Sequence, residues 1–208
     1  MYDPELYSSL EQKLEIDSRN SLVVSYVVKA KLRKERENSH RRPTGLQISP
    51  QWICDLHSYA MRDLYKCAGQ FRPHFVRITG SSHTPPAPEN VEGLVAQMCD
   101  NVLLHPEWEP PETAAYLLWR LNWIHPFMGG NGRTSRALAK YALHATLEGD
   151  LPGQAETFTY VTQNRARYIA ALVDADTAWR ETSIADVSQM QAIIDDAIVM
   201  QLKEYLKQ

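Results

Sequence analysis

The chain has 208 residues and a formal net charge of −3 at pH 7, with 44% hydrophobic and 23% charged residues. This length and composition indicate one soluble globular domain with a small helical extension, and they exclude a disordered chain or a membrane-spanning one. The small negative charge excludes a general attraction to nucleic acid or to anionic membranes. The N-terminus lacks the pattern of a secretion signal, and three cysteines without metal-ligand spacing favour reduced thiols, so we expect a cytoplasmic protein.

Helical periodicity dominates the first part of the chain. Residues 6–36 predict one or two amphipathic helices, which end in a polar turn or linker at residues 37–45. A second helix is expected from Pro50, because Ser49 suits its N-cap and proline suits its first position. His57 of this helix is expected to be a packing or surface residue rather than a ligand.

The segment GQFRPHFVRITGSSHTPPAPENV, residues 69–91, interrupts the helical pattern. Its FVRI stretch alternates, and Gly80 and a cluster of prolines follow. This combination predicts a short β-hairpin or an extended flap.

Three further helices are predicted over residues 89–105, 110–124 and 133–149, the last of them ending at Gly149, and a fourth over 186–206. The fourth carries an apolar stripe that packs on its own domain or, as the alternative, in an oligomer, whose state stays open. The stripe consists of Val187, Met190, Ile194, Ala197, Ile198, Leu202 and Leu206. We therefore expect an all-α fold with a short β-hairpin flap. It is divided into an N-terminal helical extension (1–44), a core (45–180) and a C-terminal helix packing on that core (181–208).

The stretch IHPFMGGNGRTSR, residues 124–136, lies between two predicted helices and has the composition of a phosphate-binding loop. Gly130, Asn131 and Gly132 allow close approach of the backbone to a ligand, and the N-terminus of the next helix favours an anion. Arg133 and Arg136 are three residues apart, so both guanidinium groups can reach the same anion.

A histidine stands directly before this loop. The imidazole of His125 can accept a proton from a hydroxyl group near neutral pH, which turns a weak nucleophile into one able to attack a bound phosphate. A glycine-rich turn or a lone histidine is common by itself, and it is their conjunction at fixed spacing that indicates catalysis.

Residues 125–136, HPFMGGNGRTSR, resemble the signature of the Fic family, His-Pro-Phe-x-Asp/Glu-Gly-Asn-Gly/Lys-Arg-x-x-Arg, at every fixed position except one. Residues 69–91 resemble the family's flap segment, and the resemblance covers roughly residues 45–176. It implies a mainly helical core with the motif loop between two core helices. It also implies a protein adenylyltransferase, which transfers AMP from ATP to a Ser, Thr or Tyr hydroxyl of a target protein.

The resemblance assigns roles residue by residue. His125 is the general base, Phe127 anchors the loop, residues 130–132 cradle the phosphates, and Arg133 and Arg136 hold the β and γ phosphates. The flap residues Ser82, His83 and Thr84 pair with an extended stretch of the target protein. Gly132 favours nucleotide transfer, because family members with lysine there can transfer phosphate instead.

Gly129 stands where the family has an acidic residue that helps to hold Mg²⁺. Without that carboxylate, Mg²⁺ is expected to be held weakly, by phosphates and water. Three interpretations follow: an ATP-dependent transferase of reduced activity, a nucleotide-binding domain with little or no turnover, or a Fic enzyme of another type. That last group includes transfer of UMP, phosphocholine or phosphate, and removal of AMP.

Two further features bear on specificity and regulation. Residues 165–176, RARYIAALVDAD, resemble the segment that flanks adenine, which places Ile169 and Asp176 at the expected positions, with Tyr168 adjacent and either in the pocket or in the core. The family's inhibitory Ser/Thr-x-x-x-Glu-Gly/Asn motif is absent. We therefore expect Arg136 not to be blocked by a glutamate of this chain, leaving inhibition to a separate small protein or to none.

Overall fold

The computed structural model describes Leu6 and residues 9–38, 46–147, 151–152 and 157–207. These residues form eight α-helices and one short 3-10 helix, Pro88–Asn90. In chain order the α-helices are α1 (Leu10–Asn38), α2 (Pro50–Met61), α3 (Val91–Leu104), α4 (Pro110–Ile124), α5 (Asn131–Thr146), α6 (Thr157–Gln163), α7 (Arg165–Thr182) and α8 (Ser188–Tyr205). Not one of these described helices has the length and hydropathy needed to span a bilayer. The predicted helix end at Gly149 and the predicted boundary at residues 44 and 45 lie outside the described residues.

Helix α4 lies at the centre of the fold. Pro110 begins it, where a missing N–H group costs no hydrogen bond. Its leucines and Trp119 are fully buried, and it packs against α5 most extensively and against α3, α7 and α8 on its other sides. Because both α4 and α5 are held by the core, the short loop that joins them is fixed at both ends.

Helices α1 and α2 cover one side of α5. The Ser49 hydroxyl accepts a hydrogen bond from the Trp52 N–H at 3.1 Å, which confirms the predicted N-cap of α2. Helix α1 contributes Val28 and Leu32 to the main core, and the Asn20 amide donates to the Arg62 carbonyl at 2.7 Å. These contacts bring α1 alongside the start of α5, where the motif arginines lie.

Helix α8 packs the first part of its apolar stripe on the core. Met190, Ile193 and Ile194 are fully buried, and the helix contacts α4, α6 and α7. Leu202 and Leu206, at the end of the predicted stripe, are exposed.

The predicted β-hairpin is wrong. Within the described residues the chain contains no strand, and residues 70–87 run as an extended loop with one turn, in which the Ser81 N–H donates to the Ile78 carbonyl at 3.2 Å. Gly80 takes the positive φ of +78° in this turn. Pro85 and Pro86 have no N–H group to donate to a partner strand, which removes the ladder that a hairpin needs. The alternating FVRI pattern therefore marks extended backbone and not sheet.

Candidate functional site

His125 ends α4 in a left-handed conformation, with φ 50° and ψ 58°. Its Nδ1 lies 3.3 Å from the Asn122 carbonyl oxygen, so Nδ1 carries the proton and Nε2 of the neutral ring presents a lone pair. Burial lowers the pKa of His125 to about 4, against the opposing effect of the Asn122 hydrogen bond. At neutral pH the ring is thus an uncharged proton acceptor, as a general base requires.

Asn131 closes the motif loop with its side chain. Its Oδ1 accepts the Phe127 N–H at 2.9 Å, and its Nδ2 donates to the Phe127 carbonyl at 2.8 Å. The Asn131 side chain, which we expected to help bind phosphate, therefore forms its hydrogen bonds within the loop. The groups of this loop that can bind an anion are backbone N–H groups. The first intrahelical hydrogen bonds of α5 are donated by the N–H groups of Arg133 and Thr134, so the N–H groups before them point outward from the start of the helix.

Helix α2 contacts the motif loop at its two consecutive glycines. The His57 Nε2–H donates to the Gly129 carbonyl at 3.0 Å, while its Nδ1 accepts the Gly69 N–H at 2.8 Å. The ring stacks on Phe127 with centroids 3.7 Å apart, and burial lowers its pKa to about 4. His57 is thus a packing residue, as expected, and it also holds the motif loop in place.

Met61 at the end of α2 and Tyr65 just after it fill the space beside the two glycines. A Cβ at Gly130, which has φ +74°, would lie 2.7 Å from Met61 Cγ. A Cβ at Gly129 would lie 2.6 Å from Cζ of Tyr65, a buried residue just after α2. Gly129 is not in a left-handed conformation, so it is space, filled by Tyr65, that excludes an acidic side chain here.

Arg72 is a site residue whose importance the sequence did not reveal beyond its place in the flap segment. It is 2% exposed, and its guanidinium donates to the carbonyls of His125 at 2.8 Å, His74 at 3.0 Å, and Pro86. Its own N–H donates to the Pro126 carbonyl at 2.8 Å. One buried cation thus ties both ends of the flap to the loop that carries His125. The sequence feature that could have indicated this role of Arg72 is an arginine inside an apolar stretch, FRPHF, residues 71–75.

The two motif arginines face different surroundings. Arg133 forms an ion pair with Asp17 of α1, with Nη1–Oδ1 and Nη2–Oδ2 distances of 3.1 and 3.2 Å. Arg136 makes no ion pair with a carboxylate of the described residues. Its guanidinium passes over Gly132, where a Cβ would lie 3.2 Å from Nη1. Burial lowers the pKa of Arg136, so an entering anion would gain a poorly solvated cation as its partner.

A cavity of about 330 Å³, here called the motif cavity, joins most of the predicted site residues. The flap lines one side, His125 and the start of α5 lie at one end, and α7 lines the cavity from Tyr168, beside Arg136, to Asp176. Predicted residues that line it are His125, Gly132, Arg136, Tyr168, Ile169, Asp176, Ser82 and His83, whereas Gly130, Asn131, Arg133 and Thr84 lie outside its wall. Thr84 lines an adjoining chamber beside Trp123 and Trp179.

Tyr168 is buried beside Arg136 in the wall of the motif cavity. Its hydroxyl accepts a hydrogen bond from Asn122 Nδ2 at 3.1 Å, and the same amide contacts the Ser135 hydroxyl at 2.8 Å. Burial raises the pKa of Tyr168, while Arg136 acts in the opposite direction. The side chain thus both packs in the core and forms part of the cavity wall.

Asp176 and the flap meet at the far end of the motif cavity. Asp176 Oδ1 accepts the indole N–H of Trp119 at 2.8 Å. Burial raises the pKa of this carboxyl, and the Trp119 hydrogen bond opposes the shift. The His83 ring turns inward from the flap, with Nε2 at 2.7 Å from the Trp123 carbonyl oxygen. This flap side chain therefore faces the cavity rather than a protein bound outside.

Comparison with known proteins relates part of this chain to one protein family. A family model described as the Fic/DOC family matches residues 47–143, which include α2, the flap, α3, α4, the motif loop and most of α5. The match covers 97 of the 208 residues, a little under half of the chain. Among curated relatives, the protein adenylyltransferase Fic of Nematostella vectensis is 44% identical over 73 residues, which are 34% of this chain and 17% of that protein. The enzyme of the same name from Drosophila willistoni is 34% identical over 96 residues, 45% of this chain and 19% of the relative. The chain thus spans less than a fifth of these relatives.

Solved structures show that the similarity of fold extends beyond the matched family model. Fic-1 from C. elegans has a TM-score of 0.68 at 21% identity, over 92% of this chain and 50% of that one. A Fic domain containing signaling protein from Bacteroides thetaiotaomicron has a TM-score of 0.67 at 18% identity, over 90% of this chain and 71% of that one. BepC from Bartonella tribocorum, solved with bound AMPPNP, has a TM-score of 0.54 at 15% identity, over 84% and 85%.

A protein-bound Mg²⁺ does not fit the residues present. Among the described residues, no group of three His, Cys, Asp or Glu side chains converges as a metal site. The one carboxylate of the cavity wall, Asp176, lies at the end away from Arg136 and accepts the Trp119 indole. We therefore assign no step to a metal held by this chain.

Proposed function

We propose that this chain is a protein adenylyltransferase that transfers AMP from ATP to a hydroxyl group of a Ser, Thr or Tyr side chain in a target protein. The observation that carries the proposal is the meeting, in one cavity, of a neutral His125, which lines the cavity and has its proton on Nδ1, and of Arg136 beside the N-terminus of α5. The names of the curated relatives support the same activity.

The reaction begins with the target hydroxyl. Its oxygen attacks the α-phosphorus of ATP while His125 Nε2 accepts the hydroxyl proton, and the bond from the α-phosphorus to the bridging oxygen breaks. AMP is then bonded to the target oxygen and pyrophosphate leaves with the electron pair. A resting pKa of about 4 makes His125 a weak base, and the negative charge of the bound phosphates favours its protonated form during transfer.

The leaving group meets the cationic end of the motif cavity. Arg136 donates to the β and γ phosphates from a buried position, and the α5 amides add partial positive charge. Arg133 can join only when its ion pair with Asp17 opens. A separate small inhibitory protein, if it acts at this end of the cavity, would have to place an anionic group on Arg136.

The target protein binds at the flap in this proposal. Residues 81–87 are extended and have no strand partner within the described part of the chain, so their backbone can pair with an added segment. Ser82 and Thr84 contribute backbone to this pairing, whereas the inward ring of His83 fixes the flap from below. Such pairing would bring the target hydroxyl close to His125.

Labelled ATP tests the proposal directly. The protein is incubated with a cell lysate and with either α-labelled or γ-labelled ATP, in parallel with His125→Ala and with the matched variant His74→Ala on the exposed part of the flap. We expect protein-bound label from α-labelled ATP only, lost in His125→Ala and kept in His74→Ala. Absence of α-label with the unmodified protein, or equal label with His125→Ala, would contradict it.

The packing of Tyr65 against Gly129 favours a second candidate, a domain that binds nucleotide and a partner protein with little turnover. Catalysis then lacks the charge neutralisation that a metal contact supplies, at a cost of several kcal/mol in the barrier. This candidate predicts ATP binding at Arg136 without transfer of label to protein.

A further inference from the structure

The backbone carbonyl of Asn122 has no helix partner, because of the residue that follows His125. In a continuing helix this carbonyl would accept the N–H of the residue four positions later, but that residue is Pro126, which has no N–H. His125 Nδ1 lies 3.3 Å away and donates to the carbonyl instead. The orientation of the His125 ring therefore depends on where the last turn of α4 holds the Asn122 carbonyl.

The side chain of the same asparagine joins three helices. Asn122 Nδ2 donates to the Leu118 carbonyl of α4 at 2.7 Å. It also lies 2.8 Å from the hydroxyl oxygen of Ser135 in α5 and 3.1 Å from that of Tyr168 in α7. An amide nitrogen carries two hydrogens, and the Leu118 carbonyl takes one of them, so the two hydroxyl groups share the other. Loss of this amide would release α4 from α5 and α7 at one point.

The contact with α5 reaches the cationic end of the motif cavity. Ser135 is fully buried, and its hydroxyl donates to the Gly132 carbonyl at 3.1 Å. Arg136 follows directly in α5 and lines the cavity together with Gly132 and Asn122. The position of Arg136 relative to His125 is thus set in part through the Asn122 amide.

We propose that Asn122 is a positioning residue, whose side chain holds the carbonyl that orients the His125 ring and fixes that ring relative to Arg136. It brings the base and the cation into one relative position before a phosphate binds, which lowers the cost of orienting them during the reaction. This inference rests on the proposed function in one respect, the use of His125 as the base. The orientation of the ring does not depend on transfer of AMP and can be measured without it.

Asn122→Leu is the sharpest variant, because leucine keeps the size and branching of the side chain, suits a helix and has no N–H group to donate. A second variant, Asn122→Ala, removes the same N–H groups without adding apolar volume, so the inference stays testable even if the leucine variant does not fold.

The matched control is Asn164→Leu. Asn164 Nδ2 also donates to a carbonyl four residues earlier, that of Tyr160, at 2.9 Å. Its side chain makes no hydrogen bond to α4 or α5 as described, and it lies outside the wall of the motif cavity. The control therefore removes a similar local hydrogen bond without touching the link between the helices.

The first readout is the position of the proton on the His125 ring near neutral pH. Long-range proton–nitrogen NMR spectra of the folded protein measure it, with the His125 signals identified by their loss in His125→Ala. We expect the unmodified protein to carry the proton almost entirely on Nδ1, since the Asn122 carbonyl can only accept. Both Asn122 variants should show a mixture of the two neutral forms, because the carbonyl is no longer held beside the ring, and Asn164→Leu should match the unmodified protein.

The rate of AMP transfer is the second readout. Both Asn122 variants should lower kcat by about tenfold or more while KM for ATP changes by less than about threefold, because orientation of the base matters most in the transition state. Ser135→Ala cuts only the link to α5, so it should lower kcat by a smaller factor and leave the proton on Nδ1.

The outcomes separate this inference from the proposed function. A proton that stays on Nδ1 in both Asn122 variants overturns the inference even where AMP is transferred. The same change in Asn164→Leu, or a changed ring with an unchanged kcat, overturns it as well. A change confined to the Asn122 variants supports the inference even where no label is transferred to protein and the proposed function fails.

Discussion

Replacing Gly129 with the acidic residue typical of the motif should destabilise this chain. In Gly129→Asp the new Cβ would lie 2.6 Å from Tyr65 Cζ, roughly 0.8 Å closer than ordinary van der Waals contact. The backbone at Gly129 is compatible with a side chain, so the cost comes from displacing a buried aromatic ring. Overpacking of this kind costs about 1–3 kcal/mol in unfolding free energy.

A double-mutant cycle isolates this contact. Tyr65→Leu removes the hydroxyl and Cζ, at its own cost of about 1–3 kcal/mol. If the ring is what opposes the aspartate, the double variant should be about 1–3 kcal/mol more stable than the two single losses added together. Urea unfolding measures each corner, and each kcal/mol should also lower the melting temperature by about 2–4 °C for a chain of this size.

Gly93→Asp is the matched control, since Gly93 is exposed in α3 and a Cβ there meets nothing within 4 Å. It should leave stability nearly unchanged. The reasoning is refuted if Gly129→Asp is as stable as this control, or if the losses at Gly129 and Tyr65 simply add.

Three further predictions concern buried charges and protonation. Stability should fall from about pH 6.5 to pH 4, because His57 and His125 both have a folded pKa of about 4 and the unfolded chain binds the extra protons first; each histidine adds at most about 1.4 kcal/mol per pH unit to the slope, so the slope should be smaller by up to that amount in His57→Gln. Asp17→Asn should tighten triphosphate binding about twofold to fivefold in calorimetry, because it frees Arg133 from a partly exposed ion pair; equal affinity would contradict competition for this arginine. Arg72→Lys should cost about 3 kcal/mol or more in urea unfolding, because lysine cannot reach all the carbonyls that Arg72 bonds; a loss in Arg72→Lys no larger than in the exposed control Arg77→Lys would disprove the role of Arg72.

Local patterns along the chain were sufficient to predict much of this site. The glycines of the motif predicted a loop between two helices, as observed between α4 and α5, and the structure puts His125 and Arg136 in one cavity. The N-cap of α2 at Ser49 could also be predicted from the sequence, because a cap involves residues only three apart.

The β-hairpin predicted for the flap shows where prediction from local sequence failed. Alternation predicted a strand, but a strand exists only if a second segment supplies the hydrogen bonds. Here Arg72 binds carbonyls at both ends of the segment and the prolines offer no donors. The inward orientation of His83 likewise depends on Trp123 and Asp176, which lie 40 or more residues away.

The sequence by itself determined six of the eight described helices and the loop between α4 and α5, since these depend on neighbours within a few residues; helices α6 and α7 were not predicted. Only the tertiary structure decided what fills the space around that loop. Tyr65 occupies the place of a side chain at Gly129, and Asp17 holds one of the two motif arginines while the other stays open to the cavity. The physical reason is that excluded volume and ion pairing act between segments far apart in the chain, and no spacing within the motif records them.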